Sequence, residues 1–415
     1  MMTDVSRQGS RQVFGRAPAV NRAAVAAGYL LPAALFYMIA FPKAGIRIFE
    51  IPITFGYILS SLVFAFAAAR AKVLAVPVHR LLILGVTWVL AFWSLGFLIA
   101  NGTSSVGFTI SYFTSIVYLP LFGLVVFSRL TMDEYGSEIE AAFRWAIRFV
   151  ICYGIFLFFF KFITGSWIEI PYLTVNADDV GTLDDKYINR GGIFKLISTY
   201  NNGNIFGVAM CILGPLYLRL EPRRVFRFVF YVALVLTLSR TVWIGFIAIL
   251  MMQVLSRRLS VLTAVYLLSA ALFAGVAIYY ALALLGFDLS FLFDRNLGGR
   301  LVLLKDVWSG TLVPLKPIKP LPEIVYTGII ANYGYIGLIF FLAFLLTPTF
   351  ILKAMRVDLL ATTKASACLQ GLLLYSVLCA ADGTFSYIPV MMIFWMIAGM
   401  GLWYAQNERR RVYAR

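Results

Sequence analysis

The stretch "ALVLTLSRTVWIGFIAIL", residues 233–250, is apolar except for a short polar break that contains one arginine, Arg240. It belongs to a chain of 415 residues that is 61% hydrophobic and only 13% charged, well below the charged fraction of soluble domains. Apolar segments of roughly 15–25 residues alternate with short polar stretches, and about 20 apolar residues suffice for a helix to cross a bilayer. The sequence therefore predicts an all-α, polytopic integral membrane helix bundle.

We predict about 12 transmembrane helices in a single transmembrane domain that covers residues 1–415. The predicted spans lie near residues 24–42, 51–69, 81–100, 108–128, 143–163, 204–218, 228–239, 241–255, 260–283, 325–352, 367–380 and 387–404. The remaining parts are cytoplasmic tails at 1–23 and 405–415 and two larger external loops at 164–203 and 284–324, the second with an amphipathic helix.

Arg240 decides the topology, because residues 228–255 form either one long span or two short spans that meet at Ser239-Arg240-Thr241. Two spans place 23 of the 35 Lys and Arg residues in cytoplasmic segments and 11 in external segments, with Arg240 apart. One span gives 19 inside and 15 outside. Because cytoplasmic loops carry the excess of Lys and Arg, the sequence favours two short spans, with the N- and C-termini both cytoplasmic.

The short span 228–239 rises only about 18 Å, whereas the hydrocarbon core of a bilayer is about 30 Å thick. We therefore expect the Ser239-Arg240-Thr241 turn to lie below the outer membrane surface, in a cavity reached from outside. An arginine at the bilayer centre costs about 2.5–3.5 kcal/mol on insertion scales and usually has an anionic partner and a function. The alternative is a structural salt bridge to an internal carboxylate.

The two external loops supply further candidate residues. The first loop contains the acidic residues Asp178, Asp179, Asp184 and Asp185, then Arg190, then Asn201, Asn202 and Asn204. These acidic residues suit solvated turns, and their spacing matches no defined metal-binding loop. In the second loop Arg300 follows a glycine pair, and a Pro-rich segment leads to Glu323 at the start of the next span. Arginine binds phosphate oxygens bidentately, so Arg190, Arg240 and Arg300 suggest a lipid-linked phosphate or diphosphate.

Other chemistries find little support in the sequence. There is no phosphate-binding P-loop, no dinucleotide-binding glycine motif and no HExxH zinc motif, and the only histidine, His79, lies in a predicted cytoplasmic segment. The four cysteines lie in apolar segments and are predicted to be buried, without disulfides. We predict no metal, no cofactor and no nucleic-acid partner, since the net charge of +16 fits cytoplasmic loops of a membrane protein.

Four segments, in this order, resemble the O-antigen polymerase and O-antigen ligase superfamily. They are "RGGIFKLISTYNNGNIFG" (190–207), "LTLSRT" (236–241), "GGRLVLLKDVW" (298–308) and "EIVYTGIIANYGYIG" (323–337). The resemblance covers roughly residues 188–345 and implies about a dozen spans with large external loops. The last segment includes the glycines Gly334 and Gly337, and ligases of this superfamily carry a histidine eleven residues before the first glycine of this pair. Here that position is Glu323, eleven residues before Gly334. This departure favours a polymerase over a ligase.

The resemblance implies a glycosyltransferase that polymerises undecaprenyl-diphosphate-linked oligosaccharide repeat units on the periplasmic face of the bacterial inner membrane. Arg190, Arg240 and Arg300 would bind the diphosphate, with Arg240 and Arg300 also catalytic, and Glu323 would be the general base if burial raises its pKa. Asp382 is a second carboxylate candidate, although it also suits a turn before glycine. Asn202 and Tyr326 are further candidates, and the expected partners are the lipid-linked oligosaccharide, membrane lipid and a chain-length regulator protein.

Two alternatives stay open. A ligase that transfers glycan to another lipid or a protein would share the arginines and differ in its acceptor. A transporter of lipid-linked sugar also fits twelve spans with both termini inside, although such carriers often show matching broken helices in two halves. The break at 239–241 has no clear counterpart in the first six predicted spans. The sequence leaves open the sugars, the linkage and which polysaccharide is made.

Overall fold

A computed structural model describes residues 22–48, 51–70, 77–183, 189–190, 193–256 and 311–413, together with positions 269 and 280. The fold is mostly helical. In the described residues the longer helices are α1 (Arg22–Ala40), α2 (Phe55–Arg70), α3 (Val78–Asn101), α4 (Val106–Phe113), α5 (Leu119–Val126), α6 (Arg129–Thr164), α7 (Gly203–Leu220), α8 (Arg224–Val235), α9 (Arg240–Ser256), α10 (Val325–Ala354), α11 (Lys364–Leu378) and α12 (Ile388–Tyr413). A π-helical turn, Thr114–Tyr118, joins α4 to α5.

Six helices of the described part of the chain are long and apolar enough to cross a membrane, and they indicate a membrane protein. They are Val78–Asn101, Val106–Val126, Arg129–Thr164, Gly203–Leu220, Val325–Ala354 and Ile388–Arg411. Four shorter apolar helices cover Tyr29–Ala40, Phe55–Arg70, Arg240–Ser256 and Lys364–Leu378. The predicted helical character is therefore confirmed, whereas the number of twelve spans stays a prediction. Apart from positions 269 and 280, the predicted span 260–283 lies outside the described residues, and so do residues 284–310.

Two short antiparallel hairpins interrupt the helical pattern. Strand β1 (Gly45–Ile48) pairs with β2 (Ile51–Thr54), with Gly45 opposite Thr54. Strand β3 (Asn189–Arg190) pairs with β4 (Ile193–Phe194). The predicted span 51–69 is therefore wrong in its first four residues, where Pro52 cannot donate a helical hydrogen bond and the chain forms a strand before α2.

The predicted break at Arg240 is present, but it lies slightly earlier than expected. Helix α8 ends at Val235, residues 236–239 form the connection, and Arg240 is the first residue of α9 rather than the middle of a turn. Leu238 takes the left-handed conformation there, with φ of 47°. Tyr231 Oη donates to Gln253 Oε1 at 2.8 Å, and Trp243 Nε1 donates to Val235 O at 3.0 Å. These contacts make α8 and α9 an antiparallel hairpin.

Helix α10 is broken at Gly334, whose φ of 72° and ψ of −176° are not helical. A Cβ at Gly334 would lie 2.1 Å from the carbonyl oxygen of Leu312, so only glycine lets the preceding segment cross the helix here. That segment is also held by Asn332, whose side chain accepts from Lys319 N at 3.0 Å and donates to Lys319 O at 2.7 Å. The start of α10 is thus fixed to the chain that leads into it.

The centre of the bundle is built from α7, α11 and α12. The apolar window of α12 is 94% buried, against 33% for α3. Close approach of α5 to α12 depends on small residues, because a Cβ on Gly399 would lie 2.4 Å from Gly123 O. This packing places the two ends of α7 at opposite faces of the bundle.

We call the face at the start of α7 the loop face and the face at the end of α7 the charged face. The loop face carries the described residues of 165–202 (165–183, 189–190 and 193–202), together with 236–239, 311–324 and 379–387. Backbone hydrogen bonds link the first of these segments to 236–239 and link 311–324 to 379–387. The charged face carries residues 221–223 and 355–363. At the charged face Arg148 of α6 forms a bidentate ion pair with Glu221, with both N–O distances at 2.7 Å. The Arg-rich ends of α8 and α12 lie on this face too.

Candidate functional site

Four separate segments meet at the loop face around the start of α7. Leu196 N donates to Leu236 O at 2.9 Å, which ties the first loop to the α8–α9 connection. Gly383 N donates to Glu323 O at 3.2 Å, which ties the turn after α11 to the start of α10. These bonds bring together parts of the chain that are far apart in sequence, including most of the candidate residues.

A buried polar chain runs from Lys195 through Asn204 to Asp382. Lys195 Nζ donates to Asn204 Oδ1 at 3.2 Å, and Asn204 Nδ2 donates to Asp382 Oδ2 at 2.6 Å. Lys195 is only 5% exposed and Asp382 only 2% exposed. Burying a charged group is costly unless it is paired or hydrogen-bonded. Loss of either hydrogen bond would leave a buried polar group unsatisfied, so the three side chains stabilise one another's positions.

The local sequence explains why Asn204 points this way. Asn202 is the N-cap of α7, and its side chain accepts from Asn204 N at 2.8 Å and from Ile205 N at 3.3 Å. Asn201 precedes it in the left-handed conformation that asparagine tolerates, with φ of 56°. Asn202, a predicted candidate, therefore caps the helix, while Asn204 in its first turn reaches Asp382.

Asp382 lies in a tight turn that follows α11. Its backbone N donates to Leu378 O at 2.8 Å, and Gly383 is packed so closely that a Cβ would lie 2.6 Å from Val325 Cγ2. Thr384 has φ of 45°, which is strained for a β-branched residue. Strain of this kind concentrates at functional sites, where the surrounding structure holds it in place.

Several hydroxyl groups near this turn are buried without a partner in the described part of the chain. They are Thr199 Oγ1, Thr384 Oγ1 and Ser386 Oγ. A buried hydroxyl that lacks a hydrogen bond is costly, so such groups call for a water or a ligand. They lie in the same two segments as Asn204 and Asp382 and make this part of the loop face suited to a hydroxyl-rich molecule such as a sugar.

Glu323 is close to this cluster through its backbone, but its side chain is exposed. The sequence-based role of Glu323 as general base assumes partial burial, and this assumption is wrong. Among the described residues of this end of the bundle, Asp382 is a buried carboxylate. The two carboxyl groups belong to adjacent segments because the Glu323 carbonyl accepts the N–H next to Asp382.

Arg240 lies at the level of the first turn of α7. Helices α7 and α9 pack in parallel, since a Cβ on Gly207 would meet Val242 Cγ2 at 2.1 Å and a Cβ on Gly245 would meet Cys211 Sγ at 2.7 Å. The same spacing places the backbone of Arg240 at the level of Ile205 along the helix axis. Arg240 is half-buried, and its neighbours Ser239 and Thr241 are buried.

Of the other predicted residues, one has a packing role and two lie wholly or partly outside the described residues. Tyr326 donates its hydroxyl to Ser376 O, which anchors α10 on α11. The backbone of Arg190 belongs to β3, while its side chain and all of Arg300 lie outside the described residues. Among the cysteines, Cys152 is exposed on α6, contrary to prediction, whereas the other three are buried thiols.

Two tyrosines on the loop face are structural. Tyr200 donates to Ile39 O at 3.1 Å and Tyr387 donates to Pro42 O at 3.2 Å, which holds the chain between α1 and β1 in place. Burial raises the pKa of both phenols above its usual range, so neither ionises at neutral pH.

Sequence reasoning missed Lys195 and the role of Asn204. Lys195 stands between Phe194 and Leu196 shortly before a span, and a lysine between apolar residues there is a sign of a buried ammonium group. In the described residues, no group of three or more His, Cys, Asp or Glu side chains could hold a metal ion. The arrangement offers cations for a phosphate and a buried carboxylate for a proton.

Comparison with models of protein families, with curated proteins and with solved structures found no match to this chain. Its function must therefore be inferred from the loop-face site itself.

Proposed function

We propose that this chain is a membrane glycosyltransferase that polymerises undecaprenyl-diphosphate-linked oligosaccharide repeat units on the periplasmic face of the bacterial inner membrane. The observation that carries the proposal is the buried Lys195–Asn204–Asp382 chain, next to a short helix that begins with Arg240. A carboxylate and cations held together at the loop face match what glycosyl transfer from a lipid diphosphate requires.

The reaction joins a sugar hydroxyl of one lipid-linked unit to the anomeric carbon of another. The hydroxyl loses its proton as its oxygen forms the new glycosidic bond. The bond between the anomeric carbon and the diphosphate breaks, and its electron pair leaves with the diphosphate. The reaction needs a base for the proton and positive charge for the leaving group, and no oxidant or nucleotide enters the balance.

Asp382 is the base in this proposal, with Glu323 beside it as a carboxylate that binds the acceptor sugar. Burial disfavours the charged form of a carboxyl group, so a buried carboxylate takes up a proton more readily than an exposed one. Asn204 positions Asp382 through the 2.6 Å hydrogen bond, and Lys195 in turn holds Asn204 at 3.2 Å. The unpartnered hydroxyls of Thr384 and Ser386 would bind sugar hydroxyls.

Arg240 neutralises the diphosphate. As the first residue of α9 it adds its charge to the partial positive charge of a helix N-terminus, a position where anions bind favourably. Arg190 and Arg300 complete the diphosphate site in this proposal. The short α8, with 12 residues, rises about 18 Å and would set Arg240 below the membrane surface, at the depth of a lipid-linked diphosphate.

The test uses purified full-length protein in nanodiscs with lipid-linked repeat units as the only substrate. A glycan ladder at repeat-unit spacing, absent in Asp382→Asn and Arg240→Ala, supports the proposal. Transfer that appears only after a separate lipid or protein acceptor is added identifies a ligase. Movement of labelled lipid-linked sugar across a liposome bilayer, without any transfer, identifies a transporter and rejects the enzyme.

A further inference from the structure

A polar cavity lies at the charged face, at the opposite end of α7 from the loop-face site. It has a volume of about 120 Å³ and is enclosed by α7, α8, α9 and α11. Its polar lining comes from Arg219, Arg227, Tyr231, Gln253 and Gln370. The cavity thus offers two guanidinium groups, two amides and a phenol, and none of its described lining residues is Asp or Glu.

Glu221, two residues after the lining residue Arg219, is engaged by groups outside the cavity lining. Glu221 uses both carboxylate oxygens on Arg148 at 2.7 Å, and one of them also accepts from Arg223 N at 2.8 Å. Arg227 Nε donates to the backbone oxygen of Glu221 at 2.7 Å, which fixes its guanidinium plane at the cavity wall. A guanidinium held in this way is preorganised for an anion.

The neutral groups are held in place as well. Tyr231 Oη donates to Gln253 Oε1 at 2.8 Å, which leaves the amide nitrogen of Gln253 as the donor of that side chain. Gln370, which is buried, donates its own amide to Leu359 O at 2.7 Å. The fixed side chains distinguish this cavity from a set of mobile surface arginines.

The size and surroundings of the cavity limit the ligand. Pockets for drug-sized ligands measure about 300–1,000 Å³, so a cavity of about 120 Å³ holds a small ion or a single headgroup fragment. The outer surface of the neighbouring hairpin is apolar, with Phe228, Ile244 and Met251 exposed. Acyl chains could pack on this surface while a phosphate enters the cavity.

We propose that this cavity binds one phosphate group, supplied by the headgroup of an anionic phospholipid or by free phosphate. Arg219 and Arg227 provide the charge, and the Gln253 amide provides a neutral donor. Binding there would hold the end of α7 to the α8–α9 hairpin and so stabilise the helices that also carry the loop-face site.

The test uses purified full-length protein in detergent and two probes. Inorganic phosphate is titrated at constant ionic strength while tryptophan fluorescence follows thermal unfolding. Separately, native mass spectrometry measures retained phosphatidylglycerol and phosphatidylcholine. We expect a saturable rise in unfolding temperature with phosphate, selective retention of phosphatidylglycerol, or both, and an affinity at least about tenfold weaker in Arg219→Gln/Arg227→Gln.

The matched control is Arg223→Gln/Arg224→Gln, which removes the same charge from exposed positions beside the cavity. It should bind like the unmodified protein. A response to phosphatidylglycerol alone assigns the site to a lipid headgroup, and a response to inorganic phosphate assigns it to phosphate in general. The proposal is overturned if neither probe responds, or if both double variants weaken binding equally.

Discussion

The ion pair between Arg148 and Glu221 permits a quantitative prediction for Arg148→Met. The Arg148 side chain is 9% exposed and the Glu221 side chain is fully buried. The guanidinium carbon also lies 4.7 Å from the ring centre of Trp145 and 4.5 Å from that of Phe226. Arg148→Met fills the space between the rings but leaves a buried carboxylate without its cation. Breaking a buried pair from one side costs about 3–5 kcal/mol, and we expect a loss in this range.

Removing both charges should cost much less. In Arg148→Met/Glu221→Gln the amide still accepts from Arg223 N, and no uncompensated charge remains. We expect a loss of about 1–2 kcal/mol, so that the second substitution partly rescues the first. The control is Arg144→Met, one turn earlier on α6, whose contact with Leu220 O is a long 3.3 Å hydrogen bond. It should cost less than about 1 kcal/mol.

The direction in which stability changes with pH tests the role of Arg148 in holding Glu221 ionised. Burial alone would raise the pKa of Glu221, but hydrogen bonds from Arg148 and Arg223 N outweigh it and lower the pKa. A lowered carboxyl pKa stabilises the fold above the unfolded pKa of about 4.3, and this stability is lost as the pH falls through the folded pKa. The unmodified protein should therefore keep this contribution from pH 5 to 7.5.

In Arg148→Met burial should dominate and raise the pKa of Glu221 above its unfolded value. The variant should then lose stability as the pH rises from about 5 to 7.5, with the opposite sign to the ordinary case. The measurement is the free energy of unfolding in detergent micelles, titrated with SDS at several pH values and followed by tryptophan fluorescence. Equal losses in the single and double variants, or a pH-independent loss in Arg148→Met, would refute the reasoning.

Three further predictions concern the loop face. Gly334→Ala should destabilise the protein by about 2–4 kcal/mol, because alanine is strained at the φ of 72° and its Cβ would clash with Leu312 O. The control is Gly85→Ala on α3, where no atom lies within 4 Å of the new Cβ. It should be close to neutral in the same unfolding assay. Asp382→Asn should reduce polymer formation by about 10²–10⁴-fold with the fold retained. Glu323→Gln, at an exposed side chain, should reduce polymer formation less. Equal rates for Asp382→Asn and the unmodified protein would contradict the assignment of the base. Arg240→Ala should lower polymer formation by about 10²–10³-fold and Arg240→Lys by less, and full activity of Arg240→Ala would exclude its contact with the diphosphate.

The sequence predicts the helices well because a helix in a membrane bundle is apolar on both its lipid-facing and its core-facing sides. Each helix therefore appears in the sequence as a long apolar segment. It locates the break before Arg240 to within a few residues, since a charge in an apolar run is a strong signal. It does not reveal the strand at 51–54, whose residues are as apolar as those of a span. It also does not reveal the Gly334 break, which depends on a distant backbone segment, residues 311–314.

The site is only partly predictable for a similar reason. Arg240, Glu323 and Asp382 stand out in the sequence as charges next to apolar segments. The contact between Asn204 and Asp382 joins residues 178 positions apart, and no local pattern encodes such a pairing. Burial then reverses the expected ranking, because Asp382 is enclosed by α7 and α11 while Glu323 is left at the surface. Local sequence shows which residues are unusual, and tertiary packing determines which of them are enclosed.

The central position of α12 has a consequence for how the protein is assembled in the cell. All the described helices that surround α12 precede it in sequence, and they reach the membrane before it during synthesis. Until α12 arrives, its place along the bundle axis must be filled by lipid or by provisional contacts among α5, α7, α10 and α11. The close approach of Gly123 to Gly399 can form only at that stage. Maturation of the bundle is therefore a late, post-insertion event, and substitutions in α12 should reduce the yield of folded protein more than equivalent substitutions in α3.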